Sequence, residues 1–186
     1  LMFLGQLEDP VFQESCRRCF EFICQEQEPD GSWFGRWGTN YIYGTWSVLI
    51  ALECYGIDKN HQAITRACQW LKNIQRSDGG WGEDNYSYHD TCYAGKAERS
   101  TSFQTAWAVL ALLAGGETQS ESVKRGIQFL IEGQTSDGLW RDPEFTAPGF
   151  PKVFYLKYHG YSNYVPFWAL ARYRNELLSV KTTESL

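Results

Sequence analysis

The sequence predicts an all-α fold that forms part of an α/α toroid with Gln-Trp repeats. One observation is a motif that recurs three times and ends in Gln and, six positions later, Trp. The other is the alternation of amphipathic helical segments with wholly apolar ones. About three hairpins of an inner and an outer helix are present, whereas a closed ring needs about twice that number. The chain is therefore predicted to supply half of an (α/α)6 barrel.

Each copy of the repeat places a basic residue nine positions before Gln, and Asp-Gly between Gln and Trp. The basic, Gln and Trp residues of the three copies are Arg18, Gln27 and Trp33; Arg66, Gln75 and Trp81; and Arg125, Gln134 and Trp140. A Gln amide can cap unpaired polar groups at a neighbouring helix end while stacking on an indole ring. We interpret these pairs as structural pins between adjacent outer helices, and not as catalytic groups.

The segments that carry the basic residue and Gln are predicted to be outer helices, because each has one apolar face. Apolar residues recur with helical spacing at Ile64, Ala67, Cys68 and Leu71, and again at Val123, Gly126, Ile127 and Leu130. Each of these helices is expected to end at an Asp-Gly turn, where Gly readily adopts the positive φ that a reversal needs.

Two further segments, residues 41–55 and 102–114, are predicted to be inner helices. The second contains nine consecutive residues, 106–114, without a polar side chain. A helix that is apolar all round is buried all round, so we expect both in an inner ring. Residues 1–186 are assigned to one barrel portion, with 176–186 as a disordered tail. The chain starts with Leu in what reads as continuing sequence, so we expect it to be part of a longer polypeptide.

Composition excludes several classes of function. The net charge of -5 provides no basic surface for nucleic acid. No apolar run approaches the roughly 20 residues that span a bilayer. Cys16, Cys19 and Cys24 share one predicted helix and no second pair follows, so they do not form a typical zinc motif. Aromatic residues make up 16% of the chain, which indicates either rings used as structural pins or an aromatic-lined cavity.

The repeat and four longer segments resemble the C-terminal region of class II triterpene cyclases, the squalene and oxidosqualene cyclases. The segments are residues 30–46, 78–84, 102–107 and 149–156, and the resemblance extends from about residue 5 to about residue 175. The last segment is more similar to the squalene-hopene branch. Lys152 and Val153 depart from the Gly-Asp pair commonly found there, which leaves the product open.

The resemblance implies that the complete enzyme protonates squalene, guides a carbocation through successive ring closures to a hopanoid, and needs no cofactor. Aromatic faces attract cations by about 2 kcal/mol or more when dry. By resemblance, Trp37, Phe150, Phe154 and Tyr158 line the substrate cavity, and Leu156 and Tyr161 set its shape. Tyr43 matches a tyrosine of the proton-relay network behind the catalytic acid. For each residue the alternative is an ordinary core position, and for Tyr43 a core hydrogen bond.

The family's acid motif, Asp-x-Asp-Asp, does not occur in these 186 residues. The nearest acidic groups, Glu83, Asp84 and Asp90, fall in a polar loop that we interpret as surface. A general acid for an alkene needs a buried carboxyl with a tuned pKa. The chain alone is therefore expected to be inactive and to need the remainder of the cyclase chain or a complementary subunit. The resemblance also implies peripheral, monotopic attachment to the cytoplasmic side of a membrane.

Two alternatives stay open. Zinc prenyltransferase β subunits share the toroid and bind zinc through an Asp-x-Cys pair and a distant His, and this sequence contains Asp90, Cys92 and His159. However, Asp90 and Cys92 lie about ten residues before the inner helix. The second alternative is a non-catalytic toroid that binds a lipid or a protein partner, which the missing acid and the missing half of the barrel favour for the isolated chain.

Overall fold

The computed structural model describes residues 9–183, which are mostly helical. Its α-helices are α1 (Pro10–Gln25), α2 (Tyr41–Tyr55), α3 (Gln62–Asn73), α4 (Ser102–Ala114), α5 (Glu121–Glu132) and α6 (Tyr161–Thr183). Two 3-10 turns, Asn85–Tyr88 and Thr91–Tyr93, lie between α3 and α4. A two-stranded antiparallel hairpin of β1 (Ala147–Phe150) and β2 (Phe154–Leu156) lies between α5 and α6. The all-α prediction is confirmed, and the short hairpin is an addition to it.

Helices α2, α4 and α6 form an inner row in which α4 packs between the other two. Every residue of α4 is buried, as its composition predicts. The same prediction is wrong for α2, which buries one side of its surface. The reason is position: α2 begins the row, so among the described residues it has an inner neighbour on one side only. The buried residues of α2 are Tyr41, Ile42, Gly44, Thr45, Leu49 and Leu52.

Helices α3 and α5 pack outside this row, α3 against α2 and α4, and α5 against α4 and α6. Each buries the apolar stripe that its sequence predicts, while its other face is exposed or half-buried. Helix α1 precedes them and has no buried residue among those described. The amphipathic pattern of α3 and α5 therefore marks outer helices of the expected kind.

The Gln of each of the first two repeats joins two consecutive outer helices. Gln27 Nε2 donates to the carbonyl oxygen of Gly31 in its own turn at 2.9 Å and to that of Ala63 in α3 at 2.8 Å. Gln75 Nε2 does the same with Gly79 at 2.8 Å and with Ser122 in α5 at 2.9 Å. The acceptors lie in the first turn of the next outer helix, so they are not the unpaired end groups that we expected.

The repeat Trp residues join the outer helix to the inner helix of the same hairpin. Each indole Nε1–H donates to a carbonyl oxygen near the end of the preceding outer helix, and each backbone N–H donates to a side chain of the following inner helix. The indole acceptors are Ile23, Leu71 and Leu130, at 2.8, 2.8 and 2.7 Å. The side-chain acceptors are Thr45, Thr105 and Asn163, at 3.0, 2.9 and 3.2 Å.

Replacing Gln75 by Ala is expected to lower the free energy of unfolding by about 1–2 kcal/mol, because two partly buried hydrogen bonds are lost. Urea unfolding of the chain measures the change. Gln69→Ala is the matched control, since Gln69 lies on α3 but is exposed and, among the described residues, bonds to Asn73 of its own helix, and it should change the free energy by less than about 0.5 kcal/mol. Equal effects of the two substitutions would contradict the pinning role.

The C-terminal segment is helical up to Thr183, so the disordered tail predicted from residue 176 is wrong for 176–183. Residues 184–186 lie outside the described residues. Ion pairs stabilise this helix as far as residue 176, because the Arg172 guanidinium contacts Glu53 of α2 at 2.7 Å and Glu176 at 2.8 Å. In the part of the chain that the structure describes, no helix is long and apolar enough to cross a bilayer.

Candidate functional site

Three of the residues proposed for the site lie together near the N-terminal ends of the inner helices: Tyr43, Tyr158 and Tyr161. Tyr43 is in the first turn of α2, and Tyr161 begins α6. Both rings meet the buried indole of Trp107 edge to face, with centroids 5.1 and 5.5 Å away. The ring of Tyr158 packs on Tyr161 at 5.1 Å. Trp107, in the middle of α4, is therefore the centre of this aromatic cluster.

Two further rings of the cluster, those of Trp46 and Trp168, were not anticipated as site residues. Trp46 stacks on Trp107 with centroids 5.7 Å apart and an interplanar angle of 20°. Trp168 of α6 meets Trp46 edge to face at 6.0 Å. The indole nitrogen of Trp46 is buried and has no hydrogen-bond acceptor among the described residues. The three Trp residues lie on three different helices, so no spacing along the chain indicates that they are in contact.

Two tyrosines of the cluster, Tyr43 and Tyr161, have a raised pKa. Burial raises the pKa of Tyr43, and it raises the pKa of Tyr161 to about 12 with additional contributions from the neighbouring hydroxyls of Tyr43, Tyr164 and Tyr158. A neutral phenol can pass a proton through its hydroxyl, and its ring face attracts a cation through the quadrupole. The cluster therefore offers ring faces to a cation without adding phenolate charge.

The β-hairpin carries three more of the proposed residues as an exposed apolar patch. Phe150 and Phe154 are paired across the strands, with ring centroids 5.8 Å apart at 69°. Leu156 follows Phe154 by two positions and points to the same side of β2. Their exposed fractions are 55%, 44% and 41%. The ring contacts described for these two phenylalanines are with each other, so the hairpin patch is a group separate from the Trp107 cluster.

Trp37 lies on the loop before α2 and is about half exposed, with 54% of its surface accessible. The guanidinium of Arg36 lies 5.3 Å from the centre of its ring. The buried hydroxyl of Tyr88 lies 2.9 and 2.7 Å from the carbonyl oxygens of Gly35 and Gly38, on either side of Trp37. Trp37 is therefore exposed on a loop whose backbone is fixed by hydrogen bonds. The guanidinium of Arg36 already lies over one face of its ring.

The Trp37 loop is attached to the base of the hairpin. The backbone N–H of Thr39 donates to the carbonyl oxygen of Thr146 at 2.8 Å. The ring of Tyr88, which holds the loop, also lies 6.1 Å from the ring of Tyr155 in β2. The Trp37 loop and the hairpin patch are thus fixed next to each other at one end of the fold.

Glu83 is not a surface residue, as the sequence suggested, but is buried with 2% of its surface accessible. Its carboxylate accepts the backbone N–H groups of Asn40, Tyr41 and Ile42 at 3.1, 3.1 and 2.9 Å. Burial raises the pKa of this carboxyl, and the three N–H donors oppose the rise. Both oxygens are occupied by the N-terminus of α2, so Glu83 caps that helix and is not placed to protonate a substrate.

The residues of the zinc alternative have other contacts. Asp90 Oδ1 accepts the backbone N–H of Cys92 at 2.8 Å and caps the 3-10 turn that follows it. His159 lines a different cleft, next to Trp140 and Ser162. Among residues 9–183, no three His, Cys, Asp or Glu side chains lie close enough to share a metal ion.

Comparison with known proteins gives the family. The family described as the squalene-hopene cyclase C-terminal domain matches residues 1–175. The chain belongs to the squalene-hopene cyclase family. Among its relatives, the squalene-hopene cyclase of Zymomonas mobilis is 54% identical over 172 residues, which cover 92% of this chain and 26% of that protein. The squalene-hopene cyclase of Bradyrhizobium diazoefficiens is 47% identical and covers 92% of this chain, which spans 29% of that protein.

Relatives within the squalene-hopene cyclase family differ in their named products. A dammaradiene synthase from Dryopteris crassirhizoma is 41% identical over 181 residues. The fold is also that of a solved terpene cyclase, the ent-copalyl diphosphate synthase from Streptomyces platensis, with a TM-score of 0.64, 21% identity, and coverage of 92% of this chain and 30% of that one. This likeness supports the prediction of part of an α/α toroid.

Proposed function

We propose that the chain is the aromatic wall of a triterpene cyclase that converts squalene to a pentacyclic hopanoid. The observation that carries the proposal is the Trp107 cluster, which brings aromatic rings of α2, α4 and α6 into contact. The buried carboxylate nearby, that of Glu83, is already occupied by backbone N–H groups. Such a wall attracts a carbocation, and the Glu83 carboxylate is not free to trap it.

The reaction proposed for the complete enzyme starts when an acid donates a proton to a terminal double bond of squalene. The π electrons of each following double bond then form a carbon–carbon bond to the cation and move the positive charge along the chain. Loss of a proton, or capture of water, ends the sequence. The 186 residues contain no Asp-x-Asp-Asp acid. The first proton must therefore come from another part of the enzyme, and the isolated chain is expected to be inactive.

In this scheme Tyr43 serves as a relay that returns a proton to the acid. What supports this role is its position at the start of α2, its raised pKa and its contact with Trp107. A phenol that stays neutral at pH 7 can accept and donate a proton through one hydroxyl without holding a charge near the cation. Tyr43→Phe in the complete enzyme would slow turnover and leave the product mixture unchanged.

A fusion protein tests the proposed function. The upstream part of the Zymomonas mobilis squalene-hopene cyclase is joined to this chain, which replaces the matching C-terminal segment of that enzyme. We expect the fusion to convert squalene to cyclic triterpenes detectable by gas chromatography and mass spectrometry, and the isolated chain to give none. A fusion with the helical content and cooperative unfolding of the parent enzyme but without turnover would favour a non-catalytic toroid.

Replacing Phe154 by Ala in this fusion is expected to raise the ratio of incompletely cyclised to fully cyclised products by about 30-fold. The reason is the loss of a ring face worth about 2 kcal/mol to a late cation. The control is Phe22→Ala, which removes an exposed Phe from α1; 60% of Phe22 is accessible, against 44% of Phe154. An unchanged product ratio in the Phe154 variant would contradict its role as a lining residue.

We further propose that the complete enzyme is attached peripherally to a membrane, from which a water-insoluble substrate can enter. Exposed apolar side chains of the hairpin and α6 support this, among them Val153 and Phe167 with 73% and 69% of their surface accessible. The active fusion should float with phosphatidylcholine vesicles in a density gradient. Recovery of the active fusion entirely in the vesicle-free fraction would contradict the proposal.

A further inference from the structure

Tyr88 is a buried side chain that contacts both the Trp37 loop and the hairpin. It ends the 3-10 turn Asn85–Tyr88, and 5% of its surface is accessible. Its ring lies between those of Phe34 and Tyr155, with centroids 5.7 and 6.1 Å away. Phe34 belongs to the loop before α2, and Tyr155 belongs to β2. Tyr88 is therefore packed between two of the groups that carry proposed site residues.

The hydroxyl of Tyr88 holds the backbone on both sides of Trp37. It shares one proton between the carbonyl oxygens of Gly35 and Gly38, at 2.9 and 2.7 Å. Burial raises the pKa of Tyr88, and the nearby carboxylate of Glu83 raises it further, so the hydroxyl keeps the proton that it donates. Because the two carbonyl groups flank Trp37, these bonds limit the directions in which the indole can point.

The same two glycines also lie directly against the ring of Tyr43. A Cβ atom on Gly35 would lie 2.9 Å from Cδ1 of Tyr43, and one on Gly38 would lie 2.6 Å from Cγ. Both glycines are buried. The backbone beside Trp37 is thus held between the hydroxyl of Tyr88 and the ring of Tyr43, and it cannot move toward that ring.

On the hairpin, Tyr88 contacts the side opposite to the exposed apolar patch. Tyr155 stands between Phe154 and Leu156 in β2, so its side chain points to the other side of the strand. Its hydroxyl accepts the backbone N–H of Lys152 in the hairpin turn at 3.2 Å. The contact between Tyr88 and Tyr155 therefore leaves Phe154 and Leu156 on the accessible side.

We propose that Tyr88 is a positioning residue that holds Trp37 beside the hairpin patch and thereby determines which products the enzyme forms. The inference rests on the proposed function, because product selection presupposes catalysis. Tyr88 acts through Trp37 and not on the substrate, since its ring is buried and its hydroxyl is bonded to the backbone. A displacement of about 1 Å in a group that orients the substrate can change a rate by up to about 100-fold.

The first test is Tyr88→Phe in the Zymomonas mobilis fusion, which removes the hydroxyl and keeps the ring. The ratio of incompletely cyclised to fully cyclised products should rise by about 10-fold, because Trp37 is released. Loss of the buried hydrogen bond should lower Tm by about 2–4 °C. Tyr86→Phe is the matched control, since Tyr86 lies in the same turn but is 64% exposed, and it should change neither quantity.

Two further variants separate positioning from a loss of stability. Gln75→Ala should lower Tm at least as much as Tyr88→Phe but leave the product ratio unchanged, because Gln75 bonds to its own turn and to α5. Adding Tyr88→Phe to Trp37→Ala should change the product ratio little beyond that of Trp37→Ala alone. The proposal is overturned if Gln75→Ala shifts the ratio as Tyr88→Phe does, or if the effects of the Tyr88 and Trp37 substitutions multiply.

Heteronuclear NMR of the isolated chain gives a readout that does not depend on turnover. The indole N–H signal of Trp37, assigned through its loss in Trp37→Ala, should move in Tyr88→Phe, while those of Trp81 and Trp140 stay in place. Tyr86→Phe should move none of the three. A Trp37 signal that stays in place in Tyr88→Phe overturns the proposal, whether or not the fusion cyclises squalene. A signal that moves, together with an inactive fusion, would support the positioning of Trp37 and contradict the proposed function.

Discussion

Glu83→Ala is expected to lower the free energy of unfolding by about 3 kcal/mol or more. The substitution removes the acceptor of three backbone N–H groups at the start of α2 and leaves these donors buried. Each unsatisfied buried donor costs about 1–3 kcal/mol, and the loss of a helix cap alone costs about 1 kcal/mol. The effect should be a large fraction of the total stability of a domain of this size. Urea unfolding followed by circular dichroism measures it.

Two variants make this prediction specific. Glu83→Gln keeps one acceptor oxygen and places an amide N–H against the remaining donors, so it should fall between the wild type and Glu83→Ala. Asp84→Ala removes the neighbouring carboxylate, which is exposed and caps a short 3-10 turn through the N–H of Tyr86, and should cost about 1 kcal/mol or less. If Asp84→Ala proves as damaging as Glu83→Ala, then the loop and not the cap stabilises α2.

Trp107→Ala is expected to destabilise the chain by about 3–5 kcal/mol, the range for removing a large buried ring. The indole is 1% exposed and contacts rings from α2, α4 and α6. Its partners are Tyr43, Trp46, Phe103 and Tyr161, with centroids between 5.1 and 5.7 Å away. The loss should also release the tyrosine rings, which fluorescence and near-ultraviolet circular dichroism would record as weaker fixed packing.

Trp37→Ala is the matched control, because it removes the same side chain from an exposed loop position. Its effect on unfolding should be below about 1 kcal/mol. In the fusion with the Zymomonas mobilis enzyme, the two substitutions should also affect different properties of the enzyme. Trp37→Ala should alter products without a loss of folded protein, and Trp107→Ala should reduce the amount of folded enzyme. A stable Trp107→Ala variant would contradict the central position of this ring.

The helices and their order could be predicted because local signals agree with one another. Each of these signals depends only on residues that are close in sequence. They are the spacing from the basic residue to Gln and to Trp in the three repeats, the apolar stripes of α3 and α5, and the uninterrupted apolar run in α4. Interpretation of the repeat as a set of pins also needed only the chemistry of an amide and an indole. The identity of the acceptors could not be predicted, because they lie 36 and 47 positions from the Gln residues.

Glu83 is the clearest case in which the burial of a residue was predicted wrongly from the sequence. In the chain it stands in a polar, turn-rich stretch, which is typical of surface, and a carboxylate is rarely buried without partners. Its partners are three N–H groups more than 40 positions earlier, so only the packing of this loop against α2 makes burial possible. The β-hairpin was missed for a similar reason: it has two short strands, and its pairing contains an irregularity between Pro148 and Phe150.

By itself, the sequence determined the fold class, the alternation of inner and outer helices and the family, because these depend on periodicity and on short motifs. Only the tertiary structure decided which aromatic rings meet, and it separates Tyr43, Tyr158 and Tyr161 around Trp107 from the patch of Phe150, Phe154 and Leu156. It also decided that other helices cover the turns of the first two repeats, whereas the turn of the third repeat is exposed. The physical reason is that contacts between helices depend on how separate elements pack, which no spacing within one element encodes.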